Sequence, residues 1–163
     1  VYAEGWDWSQ IYSYGSADTL LGGDGDDWLF STGEDANSGA LFDGGAGDDW
    51  IGADGDSMVV IGGAGDDYIS DANGIGNSVS GNAGDDTIYS DYLENSTVGG
   101  GQGNDSMYID DALVMSELVG GEGNDSIYVD FMVGGTLNGN AGDDYIYVDE
   151  AIQQAFVGDH FHA

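Results

Sequence analysis

The chain has 163 residues, of which 32 are Asp or Glu, 31 are Gly and none is Lys, Arg, Pro or Cys, so its formal net charge is −32. These counts exclude disulfides, thiolate metal sites and ion pairs to Lys or Arg, and they make nucleic acid and anionic membrane poor partners. Self-repulsion on this scale opposes a compact state unless dissolved cations neutralise the carboxylates, yet 40% of the residues are apolar, which argues against plain disorder.

Residues 1–21 come first and read as an aromatic amino-terminal cap or docking segment. Trp6, Trp8, Tyr12 and Tyr14 fall on one parity and share a face in an extended strand. Asp18-Thr19-Leu20 reads as a worn half-repeat, with Leu20 nine residues before Leu29. No basic leader region is visible, which fits either a removed leader or a fragment. No apolar run is long enough for a membrane span.

From residue 22 to 157 one nine-residue pattern governs the chain. It starts at Gly22, Gly44, Gly62, Gly81, Gly100, Gly120 and Gly139, at spacings of 22, 18, 19, 19, 20 and 19 residues. A fixed period marks one structural unit stacked on itself. Each period carries an apolar residue at the eighth place: Leu29, Ile51, Ile69, Ile88, Met107, Ile127 and Ile146. Another apolar residue stands two places before the next repeat: Phe42, Val60, Val79, Val98, Leu118, Leu137 and Phe156. Gly at up to four positions per period rules out helix, at about 1 kcal/mol each. The pattern predicts an all-β solenoid, a flattened right-handed parallel β-roll of about eight coils with two short strands per coil. At ~4.8 Å per coil it forms a rod near ~40 Å long.

The sixth place is always Asp: Asp27, Asp49, Asp67, Asp86, Asp105, Asp125 and Asp144. The first place is always Gly, and so is the fourth, at Gly25, Gly47, Gly65, Gly84, Gly103, Gly123 and Gly142. Glycines permit φ > 0 and let carbonyls turn toward a common centre. Stacked carboxylates one coil apart repel unless a cation lies between them. Oxygen donors in a flexible loop suit calcium better than magnesium, which demands stricter geometry.

These seven copies of G-G-x-G-x-D-x-U-x resemble the repeats-in-toxin (RTX) family across residues 15–159. The resemblance implies calcium between loops on the same edge of successive coils, held by the sixth-place Asp and by carbonyls of the Gly-rich loop. Seven loops leave six gaps, hence about six ions. It also implies export, in relatives that use calcium to fold after secretion.

In the second half of the period the acidic place is vacant of carboxylates. Ala40, Met58, Asn77, Ser96, Ser116, Gly135 and Gln154 stand there, and Asp18 once. The ladder is therefore expected on one edge only, the other edge being variable turns such as residues 91–96. Asp54, Asp91, Asp110, Asp130 and Asp149 recur ten places after the first Gly and read as solvated turn caps or a second, weak metal row. Tyr89, Tyr108, Tyr128 and Tyr147 at the ninth place predict an outward ladder, with Trp28, Trp50, Tyr68 and Tyr145 at the seventh.

Residues 158–163 read as a truncated eighth repeat with His160 and His162 on one face of a surface tail. Asn95-Ser96-Thr97 is a glycan acceptor on a turn, whereas the triplets at Asn104 and Asn124 lie inside the Gly-rich loops. No catalytic constellation emerges, and the chain reads as non-enzymatic. Two functions remain. One is a secreted, calcium-stiffened rod that associates end to end into an extracellular filament, sheath or surface layer. The other is a calcium-dependent folding module of a larger exported toxin, hydrolase or adhesin.

Overall fold

The computed structural model describes residues 2–5, 10–14, 17–31, 38–71, 73–152 and 156–158. Every regular element in it is a strand, and the strands wind into a β-solenoid of about seven turns. One sheet holds, in spatial order, β1 (Tyr2–Gly5), β3 (Thr19–Asp24), β5 (Leu41–Ala46), β7 (Val59–Ala64), β10 (Ser78–Ala83), β12 (Thr97–Gln102), β14 (Glu117–Glu122), β16 (Thr136–Ala141) and β18 (Phe156–Gly158). The facing sheet, called the outer sheet and the first the inner, holds β2 (Gln10–Ser13), β4 (Trp28–Ser31), β6 (Trp50–Ala53), β8 (Tyr68–Asp71), β11 (Thr87–Glu94), β13 (Ser106–Val114), β15 (Ser126–Val133) and β17 (Tyr145–Ile152), with β9 (Asn73–Ile75) beside β11. All pairings are parallel. Within residues 1–21, read from the sequence as a cap or docking segment, three strands join the two sheets: β1 pairs with β3, β2 with β4 and β3 with β5. Trp6 and Trp8 lie outside the described residues.

Register follows the repeat. Ile11, Leu29, Ile51, Ile69, Ile88, Met107, Ile127 and Ile146 stack into one inward column. Leu20, Phe42, Val60, Val79, Val98, Leu118 and Leu137 form the facing one. All fifteen are buried. Leu137 pairs with Val157 rather than Phe156, since three residues separate Ile152 from Phe156 in the sequence where two separate Val133 from Thr136.

The core is wider than two columns. From β11 onward the outer strands run eight or nine residues and bury further side chains, including Leu93, Ile109, Leu113, Val129 and Met132. Register shifts at residues 90–92 and 109–112 let each strand bend there. Residues 91–94, expected in a variable turn, therefore belong to β11, and only Asn95 and Ser96 turn the chain. Likewise Asp91, Asp110, Asp130 and Asp149 sit within strands, not at turn caps. The Gly-rich half is also not all turn, since its first three places complete the inner-sheet strands.

Two glycine columns obey different rules. At the fourth place φ lies between 105° and 143°, and a Cβ on Gly47, Gly65, Gly84, Gly103, Gly123 or Gly142 would strike the carbonyl of the fourth-place Gly one coil back. A Cβ on second-place Gly45, Gly63, Gly101 or Gly121, at φ 108° to 131°, would strike the second-place carbonyl one coil back just as closely, but there φ falls to 80° and 71° at Asn82 and Asn140, values that Asn tolerates. Gly121→Asn should therefore cost about 1 kcal/mol, and Gly123→Asn at least about 2 kcal/mol more. Thermal melting of both variants in calcium checks the order.

Candidate metal site along the glycine-rich edge

Places four to six turn the chain from the inner to the outer sheet, and the sixth-place Asp ends that turn. Its side chain points inward. Asp49, Asp67, Asp86, Asp105, Asp125 and Asp144 are only 1% to 6% exposed, and Asp27 is fully buried. One carboxylate oxygen is used in a coil-to-coil ladder. The backbone N–H of Asp27 donates to Asp49 Oδ1 at 2.7 Å, Asp49 to Asp67, Asp67 to Asp86, Asp86 to Asp105 and Asp105 to Asp125 at 2.8 Å, and Asp125 to Asp144 at 3.0 Å. The other oxygen, Oδ2, of Asp49, Asp67, Asp86, Asp105, Asp125 and Asp144 is buried with no hydrogen-bond donor.

That second oxygen packs against the first-place Gly of its own repeat. A Cβ on Gly44, Gly62, Gly81, Gly100, Gly120 or Gly139 would overlap Oδ2 of the Asp five residues on. On Gly44, Gly62, Gly81, Gly100 and Gly120 it would also approach the carbonyl of the next coil's first-place Gly, at 2.6, 2.8, 2.7, 2.6 and 2.7 Å. A carboxylate oxygen and a carbonyl oxygen thus face the same small space, coil after coil. Both are acceptors, and a buried charge without a partner is costly. The chain contains no Lys or Arg to supply a counter-charge.

These donors fit calcium. All are oxygens, one carboxylate per repeat with carbonyls around it, as hard divalent cations prefer. Among the described residues no three His, Cys, Asp or Glu side chains converge, so an ion here would rely on the backbone carbonyls that glycine brings close. That donor set is wrong for a soft or imidazole-liganded metal. His160 and His162 lie outside the described residues.

A second polar ladder runs beside the first and was overlooked in the repeat pattern. Fifth-place side chains accept from the next coil, opposite in sense to the sixth-place ladder. Asp26 Oδ1 accepts from the Asp48 N–H, Asp48 from Asp66, Asp66 from Asp85, Asp85 from Asn104, Asn104 from Asn124 and Asn124 from Asp143, at 2.7 to 2.9 Å. The signal was present, since this place is Asp or Asn in all seven repeats.

The opposite edge repeats the backbone device with neutral groups. The Met58 N–H donates to Asn77 Oδ1, Asn77 to Ser96 Oγ and Ser96 to Ser116 Oγ, at 2.9 to 3.0 Å. The hydroxyls of Ser96 and Ser116 donate to the carbonyls of Glu94 and Val114. No charge is buried in these three links.

Three of the recurring acidic residues of the second half, Asp91, Asp110 and Asp149, have tyrosine partners. Tyr89 Oη lies 2.9 Å from both Asp91 Oδ1 and Asp110 Oδ2, and the Tyr147 hydroxyl donates to Asp149. These bonds hold the Tyr89 and Tyr147 hydroxyls protonated well above the usual tyrosine range. Of the expected tyrosine ladder, Tyr128 and Tyr147 stack face to face at 5.3 Å. The glycan candidate Asn95 is exposed, with φ +51°.

Burial, opposed by the N–H of the preceding coil and reinforced by neighbouring carboxylates, pushes the Asp49, Asp67 and Asp86 carboxyls up to about 7. The same causes raise Asp105 to about 6. A carboxyl raised on folding gives stability that is fully present below its unfolded value of 3.8 and lost as pH rises through the folded value. Without calcium, β content should therefore grow as pH is lowered from 8 toward 5. Circular dichroism of metal-free protein checks this, and a flat profile would count against burial of these carboxylates.

The chain matches the model of a known family. The model for the RTX calcium-binding nonapeptide repeat (4 copies) matches residues 10–35, 59–74, 71–91, 117–131 and 136–150, more than half of the chain. No curated protein and no solved structure matches significantly. The parallel roll, the nonapeptide register and this match agree, and the chain belongs to the RTX calcium-binding repeat family.

Proposed function

We propose that this protein is a secreted, non-enzymatic structural protein, a calcium-stabilised rod that assembles into an extracellular filament, sheath or surface layer. The observation that carries the reading is the column of buried Oδ2 atoms in a chain with no cationic side chain except His. About six calcium ions, one between each pair of successive Gly-rich loops, would neutralise about 12 of the 32 negative charges. Asp27, Asp49, Asp67, Asp86, Asp105, Asp125 and Asp144 would supply the carboxylates. The first- and fourth-place glycines would supply close carbonyls and the turn.

The neutral links through Asn77, Ser96 and Ser116 support a ladder on one edge only. Export fits the need for free calcium at high concentration, since the same charge would oppose folding where calcium is scarce. The structural role draws on the shape. Repeats fill the described residues, and stacked parallel strands leave open sheet edges at the two ends of a roll, able to join end to end.

Chelation at neutral pH and low salt should remove the β-type circular dichroism spectrum, and calcium should restore it. Asp105→Ala, in mid-stack, should lower calcium affinity and cooperativity severalfold, more than Asp27→Ala near one end, because each coil is held by its neighbours. Titration calorimetry reads both, and its stoichiometry tests the count of about six. Sedimentation in millimolar calcium tests assembly. A single small species at high concentration would overturn the filament and leave the folding module of a larger exported protein.

A further inference from the structure

The outer face of β2, β4, β6 and β8 differs from the rest of that sheet. Its outward columns carry Trp28, Trp50 and Tyr68 in register, with Tyr12 and Phe30 in the neighbouring column. Further along, the same seventh-place column holds Thr87, Ser106 and Ser126. The rings touch in series. Tyr12 contacts Phe30 at 6.1 Å, Phe30 contacts Trp50 at 5.9 Å, Trp28 contacts Trp50 at 4.9 Å and Trp50 contacts Tyr68 at 5.6 Å. The Phe30 ring also covers the bare Cα of Gly52. Even so, Tyr12, Trp28, Trp50 and Tyr68 stay 38% to 41% exposed. Together the strip offers about 400 Å² of aromatic surface, in the range of functional patches on single proteins.

Exposed carboxylates border it. Asp26, Asp48 and Asp66 stand two residues before Trp28, Trp50 and Tyr68 in successive coils, and exposed Asp54 lies two residues beyond Gly52. No Lys or Arg exists in the chain to pair with them. Aromatic faces beside carboxylates that hold a backbone N–H but no counter-charge match cations, above all Arg, which stacks on rings and pairs with carboxylates at once. We propose that this face docks an extended basic segment of a partner protein, with Lys or Arg side chains laid on the rings and paired with Asp26, Asp48 and Asp66. A second copy is disfavoured, because it would bring two acidic rows together. A neutral glycan is disfavoured because the Trp28, Trp50 and Tyr68 rings meet edge to face, at 63° and 84°, and form no flat platform.

The test uses the intact, calcium-loaded chain at physiological salt and a labelled octapeptide of alternating Arg and Gly, read by fluorescence anisotropy. Trp28→Ser with Trp50→Ser should weaken binding about tenfold, the size expected for two cation–π contacts. Ser already occupies this column at Ser106 and Ser126, so the coil accepts it. Asp26→Asn, Asp48→Asn and Asp66→Asn together should weaken it similarly, and Asn stands naturally at that place in Asn104 and Asn124. Removing three charges from the tyrosine face, by Asp110→Asn, Asp130→Asn and Asp149→Asn, should change affinity less than twofold. Circular dichroism confirms the fold of each variant. Equal effects of the two charge sets with none from the tryptophans would overturn the proposal, as would tryptophan-dependent self-association or binding of a neutral oligosaccharide in place of the peptide.

Discussion

A column of carboxylates is buried along one edge of the roll, and the rest of the architecture answers to it. From Asp49 to Asp144, every sixth-place Asp gives one oxygen to the backbone of the preceding coil. For Asp49 through Asp144 the other oxygen is left inside the turn without a donor. Burial of ionised carboxylate is among the most costly arrangements a protein can hold. A chain with 32 acidic residues and no Lys or Arg cannot relieve it internally. On the proposed reading the fold is conditional, and the condition is a cation. Protons relieve the same cost at low pH, which is why burial raises these carboxyls.

The two edges use one backbone device with opposite electrostatics. On both, an N–H of one coil donates to a side-chain oxygen of the next. On the Gly-rich edge that oxygen belongs to a carboxylate with a second, unused oxygen. On the other edge it belongs to Asn or Ser, whose remaining hydrogens find backbone carbonyls. The neutral edge closes the stack whether or not an ion is present. On the proposed reading, one edge of such a roll would respond to calcium and the other would not.

The outer surface divides in the same spirit. Toward the carboxy-terminal coils, tyrosine hydroxyls are tied to carboxylates of the same face. Toward the amino-terminal coils, indole and phenol rings pack on one another and remain open to solvent, with carboxylates alongside. Calcium in the turns would leave this outer charge in place. The rod would therefore be stiffened from within while its surface stays strongly acidic, a combination suited to cationic partners.

The sequence by itself determined the solenoid, the period, the inward apolar columns and the acidic edge. Each of these is a side-chain choice repeated at a fixed spacing, such as Ile at the eighth place or Asp at the sixth, and stacking turns repetition in sequence directly into columns in space. Tertiary structure decided what depends on register between coils rather than on residue type. It widened the core through Leu93, Leu113 and Met132, because strands bent at a bulge run on into what reads as a turn. It paired Leu137 with Val157 rather than Phe156, because one extra residue lies between two strands whose pairing is otherwise kept. It also decided which Asp oxygen meets an N–H and which meets a glycine. Seven Asp side chains that look alike in sequence acquire their chemistry from the coil before and the coil after, and only the stacked backbone brings those together.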